Sequence, residues 1–256
     1  MKAIGIIPAR MAASRFPGKP MASLHGMPMI GHCYHRTKLT PGLSTTYVAT
    51  CDLEIYNYIK NIGGNVVMTS KEHNRAATRT AEALEIIEKQ TGEQVEVVVM
   101  VQGDEPLITP ENIQSVLMHF SGRDVEIVNL MSRFETLDAF VDKNNVKVVF
   151  DKSGNALYFS REPIPSPWKG LEGDPRYMQT GIIAFRRDAL LKFNSLNETS
   201  LEIIESIDMN RVLEHGGNIR MIPIEGPSIG VDTPEELKKA ERCLLDDLTI
   251  RRYIKL

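Results

Sequence analysis

Three cations arrive within a few residues of one another near the start of the chain, directly after a short apolar run. Residues 3–7 lead through Pro8 and Ala9 to Arg10, and Arg15 and Lys19 follow in the same loop, with Ala12, Ala13 and Ser14 between the two arginines. Small residues there leave main-chain amides accessible, so three positive side chains and the backbone can surround one polyphosphate. Such a loop would neutralise a triphosphate and leave its α-phosphorus open to attack. The competing reading is a solvated loop with scattered charges; its place at the end of a buried strand favours the anion site. The spacing is that of neither a Walker A loop nor a GxGxxG dinucleotide fingerprint.

A second constellation, Gln102-Gly103-Asp104-Glu105-Pro106, follows the most hydrophobic run of the chain. A carboxylate at a strand's carboxyl end can hold Mg²⁺, a hard ion that takes oxygen ligands and keeps several waters. Gly103 lets a ligand approach the backbone, and Gln102 carries both a donor and an acceptor suited to a base edge. The competing reading is a plain turn closing a strand. Asp232, in Gly230-Val231-Asp232-Thr233-Pro234, reads alone as a helix cap. Paired with Asp104 it becomes a second metal ligand, because phosphoryl transfer needs charge neutralised on both the entering and the leaving side.

The elements that must position these groups follow from periodicity. Apolar runs at 3–7, 46–50, 65–68, 95–101 and 125–130 read as strands buried on both faces, the pattern of a parallel sheet covered by helices. Met29, Ile30, Cys33, Tyr34 and Thr37 share one helical face; Ala81, Leu84, Glu85 and Glu88 mark another helix whose acidic side should be solvated. Thr109 and Pro110 open a third. The first half is thus a doubly wound βαβαβ layout, in which ligands gather beyond the carboxyl ends of the strands. Further strands are predicted at 147–150, 156–160, 182–186 and 218–224, with helices at 200–215 and 234–245. Residues 162–175 are proline-punctuated and polar, as expected of a functional loop, and contain the single tryptophan, Trp168.

With 256 residues, 42% of them hydrophobic, the chain can bury one substantial core, as a large α/β domain or two small ones. A net charge of −3 provides no global field for nucleic acid or an anionic membrane, so any anion site must be local. Cys33, Cys51 and Cys243 are widely spaced, which argues against a disulfide framework or structural zinc and points to a reducing cytoplasm. No apolar run approaches a membrane span. His25, His32, His35, His119 and His215 stand singly and are expected to be structural or solvent-facing, and Cys51 to be a small packed thiol.

Four segments, IPARMAASRFPGKP from Ile7, VQGDEPLI from Val101, ALYFSREPIP from Ala156 and GVDTPEEL from Gly230, stand in the order and spacing of the CMP-Kdo synthetase (3-deoxy-manno-octulosonate cytidylyltransferase) family. The chain resembles that family over nearly its whole length. The resemblance implies a GT-A-like nucleotidyltransferase fold with a mostly parallel central sheet, a nucleotide-binding half over about 1–130 and an acceptor-binding and dimerisation half over about 131–256. It also implies CTP as donor, Mg²⁺, pyrophosphate release, a homodimer and a role in lipopolysaccharide biosynthesis. By motif match, Arg10, Arg15 and Lys19 hold the triphosphate beside Ala9, Gln102 and Arg79 lie near the cytosine, and Asp104 and Asp232 bind metal. Arg161 is suited to pairing the acceptor's carboxylate bidentately.

The chain departs from the family pattern in two places. The inner positions of a His-x-Ser-Gly-Thr-Asp-Arg segment have become Arg75, Ala76, Ala77 and Thr78 between His73 and Arg79, which implies an altered base pocket. In the acceptor half, Gln179, Asp208 and Met209 replace residues of the family's sugar-contacting motifs, and together they predict an acid related to Kdo rather than Kdo itself. Glu202 and Glu205 fall on the same stretch, either as a solvated acidic face or as substrate contacts. Two rivals share the architecture: a glycosyltransferase, which needs a DxD-like acidic pair where this chain has Gly103-Asp104-Glu105, and an idle nucleotide-binding module.

Overall fold

A computed structural model describes residues 1–12, 15–122, 124–169, 176–224 and 229–254. The first half runs β1 (Ala3–Ala9), a small hairpin of β2 (Ser23–Leu24) and β3 (Met27–Pro28), α1 (Met29–Lys38), β4 (Leu43–Thr50), α2 (Leu53–Asn61), β5 (Asn65–Met68), α3 (Ala76–Thr91) and β6 (Val97–Val101). Then come α4 (Pro110–Leu117), β7 (Ile127–Arg133), α5 (Leu137–Val141), β8 (Lys147–Phe150), β9 (Ala156–Ser160), β10 (Tyr177–Arg186), α6 (Arg187–Ser195), α7 (Ser200–Glu205), α8 (Met209–Glu214), β11 (Arg220–Pro223) and α9 (Pro234–Leu245).

The main sheet has the order β11-β7-β10-β6-β1-β4-β5, with β8 and β9 attached beside β10. β6, β1, β4 and β5 are mutually parallel, while β10 runs antiparallel to both β6 and β7. A strand from the second half thereby sits at the middle of the sheet, and the expected division near residue 130 falls within β7. The period of two is visible in the core. Val98 and Met100 of β6 join Ile4 and Ile6 of β1 under α3 and α6, whereas Val97, Val99 and Val101 face α1, α2 and α4 on the other side. No described helix is long and apolar enough to cross a membrane. The three cysteines are free, with Cys33 in the core, Cys51 half-buried and Cys243 exposed.

Several expectations change in physical detail. The helix foreseen at 200–215 is two helices, because Ser206 adopts the left-handed conformation with φ 55° and ends α7. The chain then folds back, so that Arg211 of α8 makes a two-pronged contact with the fully buried Glu202, at 2.6 Å for each pair of atoms. On the acidic side of α3, Glu85 is exposed as expected, whereas Glu88 is half-buried and holds Arg187 of α6, at 2.8 and 2.9 Å. β10 begins before residue 182 because Tyr177 and Met178 pair with Val148 and Lys147 of β8. Thr109 caps α4 as expected, accepting from the Asn112 amide at 3.1 Å.

Candidate active site

The carboxyl ends of the adjacent parallel strands β1 and β6 release the two predicted loops side by side. The first loop is tied down twice: its Met11 amide donates to Asp52 Oδ2 at 2.8 Å, and Gly18, at φ 75°, donates back to the Met11 carbonyl at 3.0 Å. Asp52 stands at the N-cap position of α2 but makes no side-chain cap bond there; its carboxylate serves the loop instead. Ala13 and Ser14 lie outside the described residues.

Lys19 is the hub of the site. Its ammonium donates to Asp104 Oδ2 at 2.6 Å, Asp232 Oδ1 at 2.8 Å and the Val231 carbonyl at 3.1 Å. Arg15 takes the other oxygen of Asp232 at 2.7 Å. Burial alone would lower the Lys19 pKa; the two carboxylates outweigh it and raise the pKa above the ordinary lysine value. Asp232 is free for this contact because Thr233, not Asp232, caps α9. The two carboxylate loops are also joined through the backbone, the Val231 amide donating to the Asp104 carbonyl at 2.9 Å.

Neighbouring residues fix the floor. Glu105 is nearly buried and its Oε1 accepts from the Gly181 amide of β10 at 2.9 Å. The Gln102 side chain lies so close to Gly181 that a Cβ there would come within 2.8 Å of it, which is why this strand position takes glycine. The pairing of β10 with β7 shifts register between Gln179 and Ile183. Asn129, fully buried, spans the irregularity, donating to the Thr180 and Ile182 carbonyls and accepting from Gln179 at 2.6 Å. The one signal for this in the sequence was an asparagine in an otherwise apolar run.

A cleft of about 290 Å³ opens here, lined by Ala9, Arg10, Arg15, Lys19, Arg79, Gln102, Asp104 and Asp232. Every nucleotide and metal residue named from the sequence is thus in one place. Arg79 is almost wholly buried and donates to Thr69 Oγ1 at 2.6 Å and the Ser70 carbonyl at 3.1 Å, so it shapes the wall as well as lining it. His73 bridges to Glu82 at 2.6 Å and receives Arg10 on its carbonyl at 3.3 Å.

A second polar cavity of about 630 Å³ adjoins the first and shares Arg15, Gln102, Asp104 and Asp232 with it. Arg161, Gln179 and Asp208 line it. Met209 does not: it is fully buried in the core between α8 and the sheet. The premise that three substitutions jointly reshape one pocket fails at that residue, and Gln179 has its amide committed to Asn129. Glu205 is a scaffold for Arg161, accepting from its amide at 2.8 Å and from Ser160 at 2.7 Å. Burial would raise the Glu205 pKa, but these bonds and that of Tyr158 outweigh it and leave it lowered. Trp168 is exposed, and residues 170–175 of its loop lie outside the described residues.

A cleft that gathers cations and a pair of carboxylates at the ends of parallel strands and opens beside a second polar cavity has the chemistry to hold a polyphosphate beside an acceptor, and the solved structure that this chain superposes on gives the class, a nucleotidyltransferase. The cytidylyltransferase family model matches residues 4–221. The 3-deoxy-manno-octulosonate cytidylyltransferase of Parabacteroides distasonis is 40% identical over 251 residues, covering 94% of this chain and 97% of its own length. That of Geobacter sulfurreducens is 40% identical over 250 residues, covering 93% and 98%. A solved structure of CMP:2-keto-3-deoxy-manno-octonic acid synthetase complexed with CTP superposes with a TM-score of 0.86 at 33% identity, covering 97% of this chain and all of the other. The chain belongs to the 3-deoxy-manno-octulosonate cytidylyltransferase family.

Proposed function

We propose that this protein transfers CMP from CTP to Kdo, releasing pyrophosphate, with Mg²⁺ as its cation. The observation that carries the reading is the seam between the cavities, where Asp104 and Asp232 face both sides and Lys19 stands between them. CTP occupies the smaller cleft, with its phosphates against Arg10, Arg15 and Lys19 and its base toward Gln102 and Arg79. Kdo occupies the larger cavity, its carboxylate toward Arg161 and its body near Gln179 and Asp208.

The acceptor hydroxyl attacks the α-phosphorus in line. The new bond joins that oxygen to phosphorus, the bond from the α-phosphorus to the bridging oxygen breaks, and pyrophosphate leaves toward the cationic loop while the hydroxyl proton is released. Positioning and preorganised charge supply most of the rate, as is general for transfer at phosphorus.

The residues present fit a divalent cation. Asp104 and Asp232 already hold a positive charge between them in the form of the Lys19 ammonium, and two carboxylates completed by phosphate oxygens and water are an ordinary Mg²⁺ donor set. When bound, the ion polarises phosphate oxygens and offsets charge developing at the α-phosphorus. With a triphosphate bound, Lys19 would be shared with its phosphates, and Asp104 and Asp232 would be the residues to hold the cation. Leu157, Ile203 and Ile204, exposed apolar residues of the second half, support a homodimer formed through that half.

Following pyrophosphate release from CTP with Kdo tests the reading. It expects turnover that requires both substrates, stops when EDTA removes divalent cations and returns with added Mg²⁺; no turnover with Kdo under these conditions would overturn it.

A further inference from the structure

Arg75 stands where the family pattern has a small residue, at the rim of the nucleotide cleft and immediately before α3. Its side chain does not turn into the cleft unpartnered. The guanidinium reaches the junction of α7 and α8, where Nη1 donates to Ser206 Oγ at 3.0 Å and Nε lies 3.7 Å from Glu202 and 3.9 Å from Glu198. Ser206 belongs to the wall of the acceptor cavity.

The same turn is gripped from the other side. Arg161 donates from Nε to the Glu205 carbonyl at 2.7 Å and from its backbone amide to Glu205 Oε2 at 2.8 Å. Ser206, between the two grips, has φ 55°, a conformation that non-glycine residues hold only where their surroundings impose it. Two residues further on, Asp208 lines the acceptor cavity; burial pushes its carboxyl up, and the charge of Arg75 is the largest influence opposing that rise.

We propose that Arg75 is a positioning residue that sets acceptor affinity from the nucleotide side of the cleft, by holding the Ser206 turn in the conformation that places Arg161 and Asp208. The inference rests on the acceptor occupying the larger cavity as described above. It accounts for a cation in place of a small residue beside the nucleotide: its hydrogen bond to Ser206 and its ion-pair contacts with Glu202 and Glu198 all lie on the acceptor side.

Kinetics of Arg75→Ala with CTP and Kdo, run with hydrogen exchange of residues 200–208 in the substrate-free protein, test it. Glu202 keeps its contact with Arg211 in this variant, so the fold is retained. The expected result is a KM for Kdo raised at least about fivefold, a KM for CTP within about twofold of wild type, and faster exchange at 200–208. Ser206→Ala should raise the KM for Kdo in the same sense, and Arg75→Lys should restore part of the loss. A KM for CTP that rises while that for Kdo does not, or unchanged exchange at 200–208, would overturn the inference. Because exchange is read without substrates, an inactive wild type would count against the proposed reaction while the exchange still decides the role of Arg75.

Discussion

At the level of single residues, Asp104 and Lys19 carry the heaviest demands. Asp104→Asn should keep the fold, since the contact from the Val231 amide uses the backbone carbonyl of residue 104 and the side-chain volume hardly changes. An amide is a poor ligand for a hard cation, so turnover should fall by at least about a hundredfold; near-normal pyrophosphate release would remove Asp104 from the metal site. Lys19→Ala should raise the KM for CTP and lower kcat together, because one charge meets the phosphates in both the ground state and the transition state. Titrating both parameters checks this. These residues were legible in the sequence because loops after buried strands must converge where parallel strands end. Met209 was misplaced for the opposite reason: a motif match gives a position along the chain but not which way the side chain faces, and at the start of α8 that direction is inward.

Among the elements, strands were easier to foresee than helix ends. The runs at 65–68, 147–150 and 156–160 coincide with β5, β8 and β9, since short runs rich in β-branched and aromatic residues read as strands even where part of the strand, as at the exposed Leu157, meets solvent. The break between α7 and α8 left no such trace: Ser206 is an ordinary residue by type, and the turn is held by contacts from outside it, Arg75 on Ser206, Arg161 on Glu205 and Arg211 on Glu202. Glu202 is fully buried. Arg211→Leu would leave it with the Thr199 amide at 3.4 Å and the more distant Arg75 at 3.7 Å, and a loss of about 3–5 kcal/mol is expected from denaturant unfolding. The irregular pairing of β10 with β7 was equally hidden, because the carbonyls that Asn129 satisfies belong to another strand.

The whole molecule is closed at one side by its C-terminal segment, which packs Tyr253 against His32, His35 and Arg36 of α1. Of the solitary histidines, which the sequence predicts to be structural or solvent-facing, His32 is the most deeply placed. It is fully buried, with Nε2 donating to the Leu24 carbonyl and Nδ1 accepting from the Tyr253 hydroxyl, each at 2.9 Å, the neutral arrangement. Burial, aided by Arg36, His25 and His35, lowers its pKa from 6.5 to about 4, outweighing the Leu24 bond. The folded state therefore binds fewer protons than the unfolded chain between these values, so stability is complete above pH 6.5 and declines as pH falls toward 4. At pH 5 the loss from this group is about 2 kcal/mol. His32→Gln should flatten that slope in thermal denaturation between pH 5 and 7, and an unchanged slope would remove His32 as its source. Two cavities meeting at one pair of carboxylates imply transfer of CMP from one to the other, and a competition assay tests this most directly. The protein is given CTP, Mg²⁺ and an equimolar panel of Kdo with other ulosonic, nonulosonic and phosphonate acids, and the products are identified by ³¹P NMR. The account predicts CMP-Kdo as the main product, formed in step with pyrophosphate. Predominant CMP transfer to another acid, or CTP consumption without any CMP-linked product, would contradict it.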